Sequence, residues 1–389
     1  MTTIDSSAHD TRTDETSDEF TPQPDTGVAP LVDGSKLIGD PRDSAVVRAS
    51  HRVYEHLIAM FAPGMIEAAF DLGVFVALAD GPATPTDLAA RLDADAHGLR
   101  VLLDGLYCYE IVQRVRAEDG EDLYRLVDGM AECLLPGGLY SLAGRIGYDR
   151  AIGWDVWRNL ADHVKRPARG ADGGYQANQL SAEDYEQVAR GINFWAPPIV
   201  ESLANLLAEE EGWKGEADRS MLDVGCGTGI YSQLLLQRFR GLRATGLDHP
   251  RIVPIARGQA ERLGVRERFE PVERDFFTEE WNTGQDLVLL VNIFHLQTAE
   301  GSEELMRRAA QAVRQGGVVA IVDHIVDDET DDQSIQNRFF RLFAASMLVT
   351  GGGDSFSLAD YDQWLDRAGL VRTALVDTPM HRILLARRP

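Results

Sequence analysis

The residues best suited to chemistry fall in four short stretches: MLDVGCGTGI at 221–230, GLD ending in Asp248, VERDFF around Asp275, and NIFH ending in His295. In the first, an apolar run enters a glycine turn. Gly225, Gly227 and Gly229 permit a tight turn and close backbone approach to a ligand in the crevice beyond a strand's carboxyl end. Glycine spacing alone does not choose among nucleoside ligands, but two details do. The spacing is G-x-G-x-G, with Ile230 where the dinucleotide fingerprint needs a third glycine. Asp223 also stands immediately before the turn, where a carboxylate repels a pyrophosphate and suits the ammonium group of a methionine moiety.

Asp248 ends the next strand, about 20 residues on, where an acid binds ribose hydroxyls. Asp275 beside Phe276 ends a third, and the pair suits adenine: an acceptor for the exocyclic amine and an aromatic for the ring. Taken singly, each acid reads equally well as a solvated strand end. His295 directly follows DLVLLVNIF, at the carboxyl end of a strand facing the crevice. An imidazole there is a general base or a hydrogen-bonded structural histidine.

The elements that must carry these residues begin at Ser220, where short apolar strands (MLDVG, RATGLD, FEPVERD, DLVLLVNIF, VVAIVDHIV) alternate with helical stretches. That alternation indicates βαβ units and a mostly parallel sheet covered on both faces, an α/β fold. VRTALVDTP and HRILLARR read as a closing hairpin. From Ser44 to Leu207 the spacing is mainly helical, with Leu57, Met60, Phe61, Met65, Ile66 and Phe70 in one broad stripe. Thr84 N-caps a helix with Pro85 at its first position, and DADAHGLRVLLDGLYCYEIVQRV makes a second, packing through Leu99, Leu102, Leu103 and Leu106. EDLYRLV, after the turn at Asp119-Gly120, completes a winged-helix pattern.

Asp87, Arg91, Asp93, Asp95, Arg100, Asp104 and Glu110 leave that module without a basic stripe, and the formal net charge of the 389-residue chain is −24. Both disfavour nucleic acid as a partner. Residues 1–43 are acidic and polar with almost no apolar periodicity, and are expected to be a disordered leader. No apolar run reaches the roughly 18 residues of a membrane span, and the amino terminus lacks a signal-peptide pattern, so a cytoplasmic protein is expected. Cys108, Cys133 and Cys226 fit neither a disulfide framework nor a zinc cluster.

The series LDVGCGTG, GLD, RDFF and NIFH, after a helical winged-helix region, resembles the class I small-molecule O-methyltransferases of plant phenolic and bacterial secondary metabolism. The resemblance implies a Rossmann-like S-adenosylmethionine-binding domain at 208–389, preceded by a winged-helix dimerisation and substrate-pocket domain at 44–207. It implies that Asp223, Gly225, Gly227, Asp248, Asp275, Phe276 and Asn292 line the cofactor, that the chain is a homodimer, and that His295 is the base. The family often reads His-Asp-Trp at that point, whereas this chain has His295-Leu296-Gln297. A Glu after a glycine pair supports the histidine in many members. Gly352-Gly353-Asp354 offers an acid there, which either orients His295 or N-caps the helix leading to Trp364. Phe340, Phe343 and Met347 wall the acceptor pocket or are core. Tyr148, Trp154, Asn193, Phe194 and Trp195 are pocket candidates by position. No H-x-x-H or comparable cluster is present, so no metal is expected. O-methylation of an aromatic or polyketide-like hydroxyl is the leading expectation. C-methylation, or a non-methylating reaction with the cofactor as scaffold, is the alternative.

Overall fold

The computed structural model describes residues 45–117, 120–165, 188–209, 211–327, 334–350 and 353–389. The acidic leader expected over 1–43, and Gly352 of the glycine pair, lie outside the described residues. The chain divides into two units at Met60. The described part of the first is one helix, α1 (Ala45–Ile58).

The second unit, Phe61–Pro389, opens with α2 (Phe61–Asp71), α3 (Val74–Ala79), α4 (Pro85–Leu92) and α5 (Ala96–Cys108). α4 begins in a capping box: the Thr84 side chain accepts from Asp87 N, and the Asp87 carboxylate accepts from Thr84 N. The helix expected to run through Val115 stops at Cys108. Glu110 takes a left-handed φ of 58°, and β-branched Val112 and Val115 enter a hairpin of β1 (Val112–Arg116) and β2 (Asp122–Leu126). Leu99, Leu103 and Leu106 of α5 pack with Phe75, Leu88 and Tyr124 in a core of their own. Helices α6 (Met130–Leu134), α7 (Ala143–Tyr148), α8 (Trp154–Arg158) and α9 (Leu160–Lys165) follow, with a π turn at Asp149–Gly153 between α7 and α8. A 3-10 turn, Asn193–Trp195, then leads into α10 (Ala196–Glu209).

The remainder is a seven-stranded sheet built from β3 (Arg219–Val224), β4 (Leu242–Asp248), β5 (Phe269–Glu273), β6 (Gln285–Val291), β7 (Val313–Asp323), β8 (Val371–Thr378) and β9 (His381–Arg387), in the order β5-β4-β3-β6-β7-β9-β8. β5 through β7 pair in parallel, while β7–β9 and β8–β9 are antiparallel. The expected closing hairpin is thus the sheet's far edge. Alternate residues of each strand feed opposite cores. Met221, Leu287 and Leu289 face α10, α11 (Ile230–Arg238) and α12 (Val253–Arg262). Leu222, Val288 and Leu290 face α13 (Ala299–Ala312) and α15 (Leu358–Ala368). Each fully buried aliphatic side chain contributes about 1.5–3 kcal/mol. α14 (Ile335–Thr350) lies between β7 and α15 in sequence. Chain order reverses between β3 and β6, so the crevice of an open α/β sheet opens where the glycine turn leaves β3.

Candidate active site

The carboxyl ends of β3, β4 and β6 open on a cavity of about 440 Å³, within the range of small-molecule sites. Gly225, Gly227 and Gly229 adopt φ of 66°, 57° and 77°, which other residues rarely do. At Gly225 a Cβ would also stand 2.7 Å from Ile293 Cδ1, so the turn needs glycine for space as well as for conformation.

Asp223 is buried on the cavity wall, and its Oδ2 has no hydrogen-bond partner. Burial pushes its pKa up to about 7, with the Ser232 hydroxyl opposing and the Asp248 charge adding to the rise. A buried carboxylate with one unpaired oxygen fits a ligand that brings a positive charge. Asp248 holds the turn from the neighbouring strand: its Oδ2 accepts from Gly227 N and its Oδ1 from His249 N, both at 2.7 Å. Asn292, at φ 55°, places its Oδ1 2.7 Å from His381 Nε2, which must be the donor because an amide oxygen only accepts. Its Nδ2 donates to the Tyr231 hydroxyl at 3.4 Å. Phe276 lines the same wall. Asp275 does not. It is exposed and caps its own loop, accepting from Phe277 N (2.9 Å) and Thr278 N (3.3 Å), and these bonds, with Arg308, outweigh slight burial and lower its pKa.

His295 sits in a 3-10 turn, Phe294–Leu296, just past β6. Parallel pairing of β6 with β7 brings this turn beside Asp323 at the end of β7. His295 Nδ1 lies 2.6 Å from Asp323 Oδ1. Asp323 Oδ2 accepts from Phe294 N (2.9 Å) and His295 N (3.4 Å), and Oδ1 also accepts from His324 N (2.8 Å). Burial alone would raise the pKa of Asp323, but the His295 ring and the hydrogen bonds from His295 and His324 hold it well below the usual carboxylate range. An ionised carboxylate only accepts, so Nδ1 carries a proton and donates it to Asp323. Nε2 is the ring nitrogen left for the cavity, which His295 lines.

Asp354 does not orient the ring. Its backbone N–H donates to His295 O at 3.1 Å, while its exposed carboxylate turns to Ser355 N at 2.8 Å. Nor does it cap the helix to Trp364, whose N-cap is Ser357 in a capping box with Asp360. What that loop needs is Gly353, where a Cβ would stand 1.7 Å from His295 O. The supporting acid is Asp323, which sequence reasoning missed. The available signal was the one already used for Asp248: an acid closing an apolar strand, here VVAIVD.

His324 packs behind the pair. Its ring stacks on Phe343 at 3.8 Å between centroids, and burial lowers its pKa to about 4, keeping it neutral. Among the described residues, His295, Asp323 and His324 form a group whose candidate ligand atoms lie within 4.8 Å of one another, close enough to hold a metal ion.

Tyr148, Asn193, Phe343 and Met347 line the cavity, with Trp157 and Trp195. Trp154 is turned away, donating its indole N–H to Glu67 at 2.8 Å, and Trp157, three residues on, stands at the wall. Phe194 is exposed beside Trp195 and outside that wall. Phe340 is fully buried core.

A mostly parallel sheet whose switch point carries a left-handed glycine turn, with a buried acid before it and a second buried acid at the end of the next strand, fits a nucleoside-type cofactor site. Residues 211–371 match the O-methyltransferase domain model and residues 54–137 the O-methyltransferase dimerisation domain model. The chain belongs to this O-methyltransferase family and is an S-adenosylmethionine-dependent methyltransferase. It is 26% identical to the mitomycin biosynthesis 6-O-methyltransferase of Streptomyces lavendulae, over 85% of this chain and 92% of that protein. It is 25% identical to the tetracenomycin polyketide synthesis 8-O-methyl transferase TcmO of Streptomyces glaucescens, over 88% and 98%. Carbon and nitrogen methyltransferases also occur among the relatives. The human N-acetylserotonin methyltransferase, solved in complex with S-adenosylmethionine, shares the fold with a TM-score of 0.74 and 21% identity, over 90% of this chain and 99% of that one. Among the described residues no helix is long and apolar enough to cross a membrane.

Proposed function

We propose that the protein transfers the methyl group of S-adenosylmethionine to a hydroxyl of an aromatic or polyketide-like metabolite, with His295 as general base. The observation that carries this reading is the 2.6 Å bond of His295 Nδ1 to Asp323 at the cavity wall, and in the neutral imidazole Nε2 is then the nitrogen that meets the acceptor. Asp223, Gly225, Gly227, Asp248, Phe276 and Asn292 hold the donor, Asp223 meeting its ammonium group. The bound donor supplies a sulfonium methyl already activated for in-line displacement. The chain's own tasks are to align the acceptor and to take its proton. A phenol ionises near pH 10, so at neutral pH it needs a base. Nε2 accepts that proton and the ionised Asp323 stabilises the resulting imidazolium. Tyr148, Phe343 and Met347, with Trp157 and Trp195, give a mostly apolar aromatic wall suited to a flat acceptor.

Residues 44–207 serve as dimerisation and pocket module of a homodimer, consistent with the dimerisation-domain match, and 208–389 as the donor-binding domain. Catalysis uses no metal, since Asp323 is already committed to four N–H groups. Three free cysteines suit the reducing cytoplasm. Carbon methylation is the second reading, because relatives include carbon methyltransferases and the same base would serve a carbon acid. Incubation of a panel of hydroxynaphthoates and polyketide phenols with methyl-labelled donor tests the assignment. A methyl ether product is expected. Carbon-linked label would replace the reading, and donor binding without demethylated donor appearing for any acceptor would refute methyl transfer.

A further inference from the structure

Three buried side chains from distant parts of the chain close into a ring behind the glycine turn. Thr228, between the left-handed Gly227 and Gly229, donates its hydroxyl to Asn193 Oδ1 at 2.7 Å. Asn193 Nδ2 donates to Gln259 Oε1 at 3.0 Å. Gln259 Nε2 returns to Thr228, at its carbonyl (3.1 Å) and its hydroxyl (3.2 Å). The second hydrogen of Asn193 Nδ2 goes to Leu139 O at 3.1 Å, and Gln233 Nε2 adds a bond to Thr228 O at 3.1 Å. The ring residues are each at most 3% exposed. Every donor meets an acceptor, so one orientation of each amide satisfies the whole set, and buried bonds of this kind reinforce one another.

The ring joins two surfaces of one cavity. Thr228 belongs to the turn that receives the donor. Asn193 lies in the 3-10 turn whose neighbours Ile192 and Trp195 stand on the cavity wall with Tyr148 and Phe343. Both amide hydrogens of Asn193 are committed to protein partners, so it has none to offer a substrate.

We propose that Asn193 is a positioning residue that ties the donor turn to the acceptor wall, coupling donor occupancy to the shape of the acceptor pocket. This rests on the reading of the glycine turn as the donor site. Without the Asn193 amide, the Thr228 hydroxyl and the Gln259 amide are buried with bonds unmade, and the turn and the wall lose their common register. Linkage makes the effect reciprocal: the factor by which donor tightens acceptor equals that by which acceptor tightens donor.

The test is titration of the full chain with S-adenosylhomocysteine, together with hydrogen exchange of the backbone at 192–196. In the wild type, ligand binding should protect both the turn and this wall segment. Asn193→Ala and Thr228→Val should each weaken binding about tenfold or more and abolish protection at 192–196. Thr228→Ser, which keeps the hydroxyl, should restore both. If Asn193→Ala does not fold, Thr228→Val carries the same comparison. Wild-type affinity in the variants, or protection of 192–196 that persists in them, overturns the coupling. A wild-type chain that does not bind S-adenosylhomocysteine overturns the donor-site reading instead, so the two failures are distinguishable.

Discussion

Lowering the pH should weaken donor binding through one carboxylate, Asp223. Burial raises its pKa to about 7 in the free protein, and one of its oxygens has no partner. The donor's ammonium stabilises the charged form, so the pKa in the complex is lower and binding expels a proton. The sign follows: affinity is full where Asp223 is already ionised, above about pH 8, and falls as pH drops below 7. With one proton released per ligand, affinity falls about tenfold per pH unit, thus roughly tenfold at pH 6 and approaching a hundredfold at pH 5. Of the neighbouring groups, Tyr231 is raised by burial and stays neutral throughout; Asp248 is also raised by burial, against its two backbone N–H bonds, so the Asp223→Asn comparison is what isolates Asp223. Calorimetry with S-adenosylhomocysteine in two buffers of different ionisation enthalpy, between pH 5.5 and 8, reads both the slope and the proton count. Asp223→Asn should bind more weakly and without that slope. A wild-type affinity that is flat over this range, or an unchanged slope in the variant, would refute the reasoning.

Asp323→Asn should lower turnover by roughly a hundredfold, the order of general-base catalysis. An amide replaces the acceptor that holds the Nδ1 proton, and donor affinity should change little; comparable turnover in variant and wild type would remove Asp323 from the mechanism. Asp354→Ala should leave turnover within about twofold, because its carboxylate touches Ser355 rather than the ring; a large loss measured by initial rates would restore it as the supporting acid. Prolonged dialysis against a chelator should leave activity intact and remove no stoichiometric metal, as read by elemental analysis. Lost activity recovered by a divalent ion would instead assign a metal to His295, Asp323 and His324.

The glycine-turn side of the cavity was legible because its requirements are local. A glycine turn, an acid before it and acids at strand ends appear in consecutive sequence. Asp275 shows the limit of that logic, since its carboxylate folds back on Phe277 and Thr278 N–H groups only one turn beyond the strand. The partner of His295 was not legible, because Asp323 meets it only through the register of β6 on β7, 28 residues apart. Asp354 occupied the expected sequence position, yet the tight passage of Gly353 over the His295 carbonyl sends its side chain outward. On the acceptor side, Trp154 and Trp157 are equally plausible from composition. The π turn and the Glu67 bond decide which of them reaches the wall. Helix and strand alternation gave the sheet, whereas the end of α5 depended on a single left-handed residue, Glu110.

The central claim is that His295 removes the acceptor's proton. Its most direct test is single-turnover methyl transfer by His295→Ala, with donor saturating and the best hydroxylated acceptor from the panel, alongside S-adenosylhomocysteine affinity. A rate at least about a hundredfold below wild type is expected, with donor affinity nearly unchanged. A His295→Ala protein that transfers methyl groups at a near-normal rate would contradict the claim.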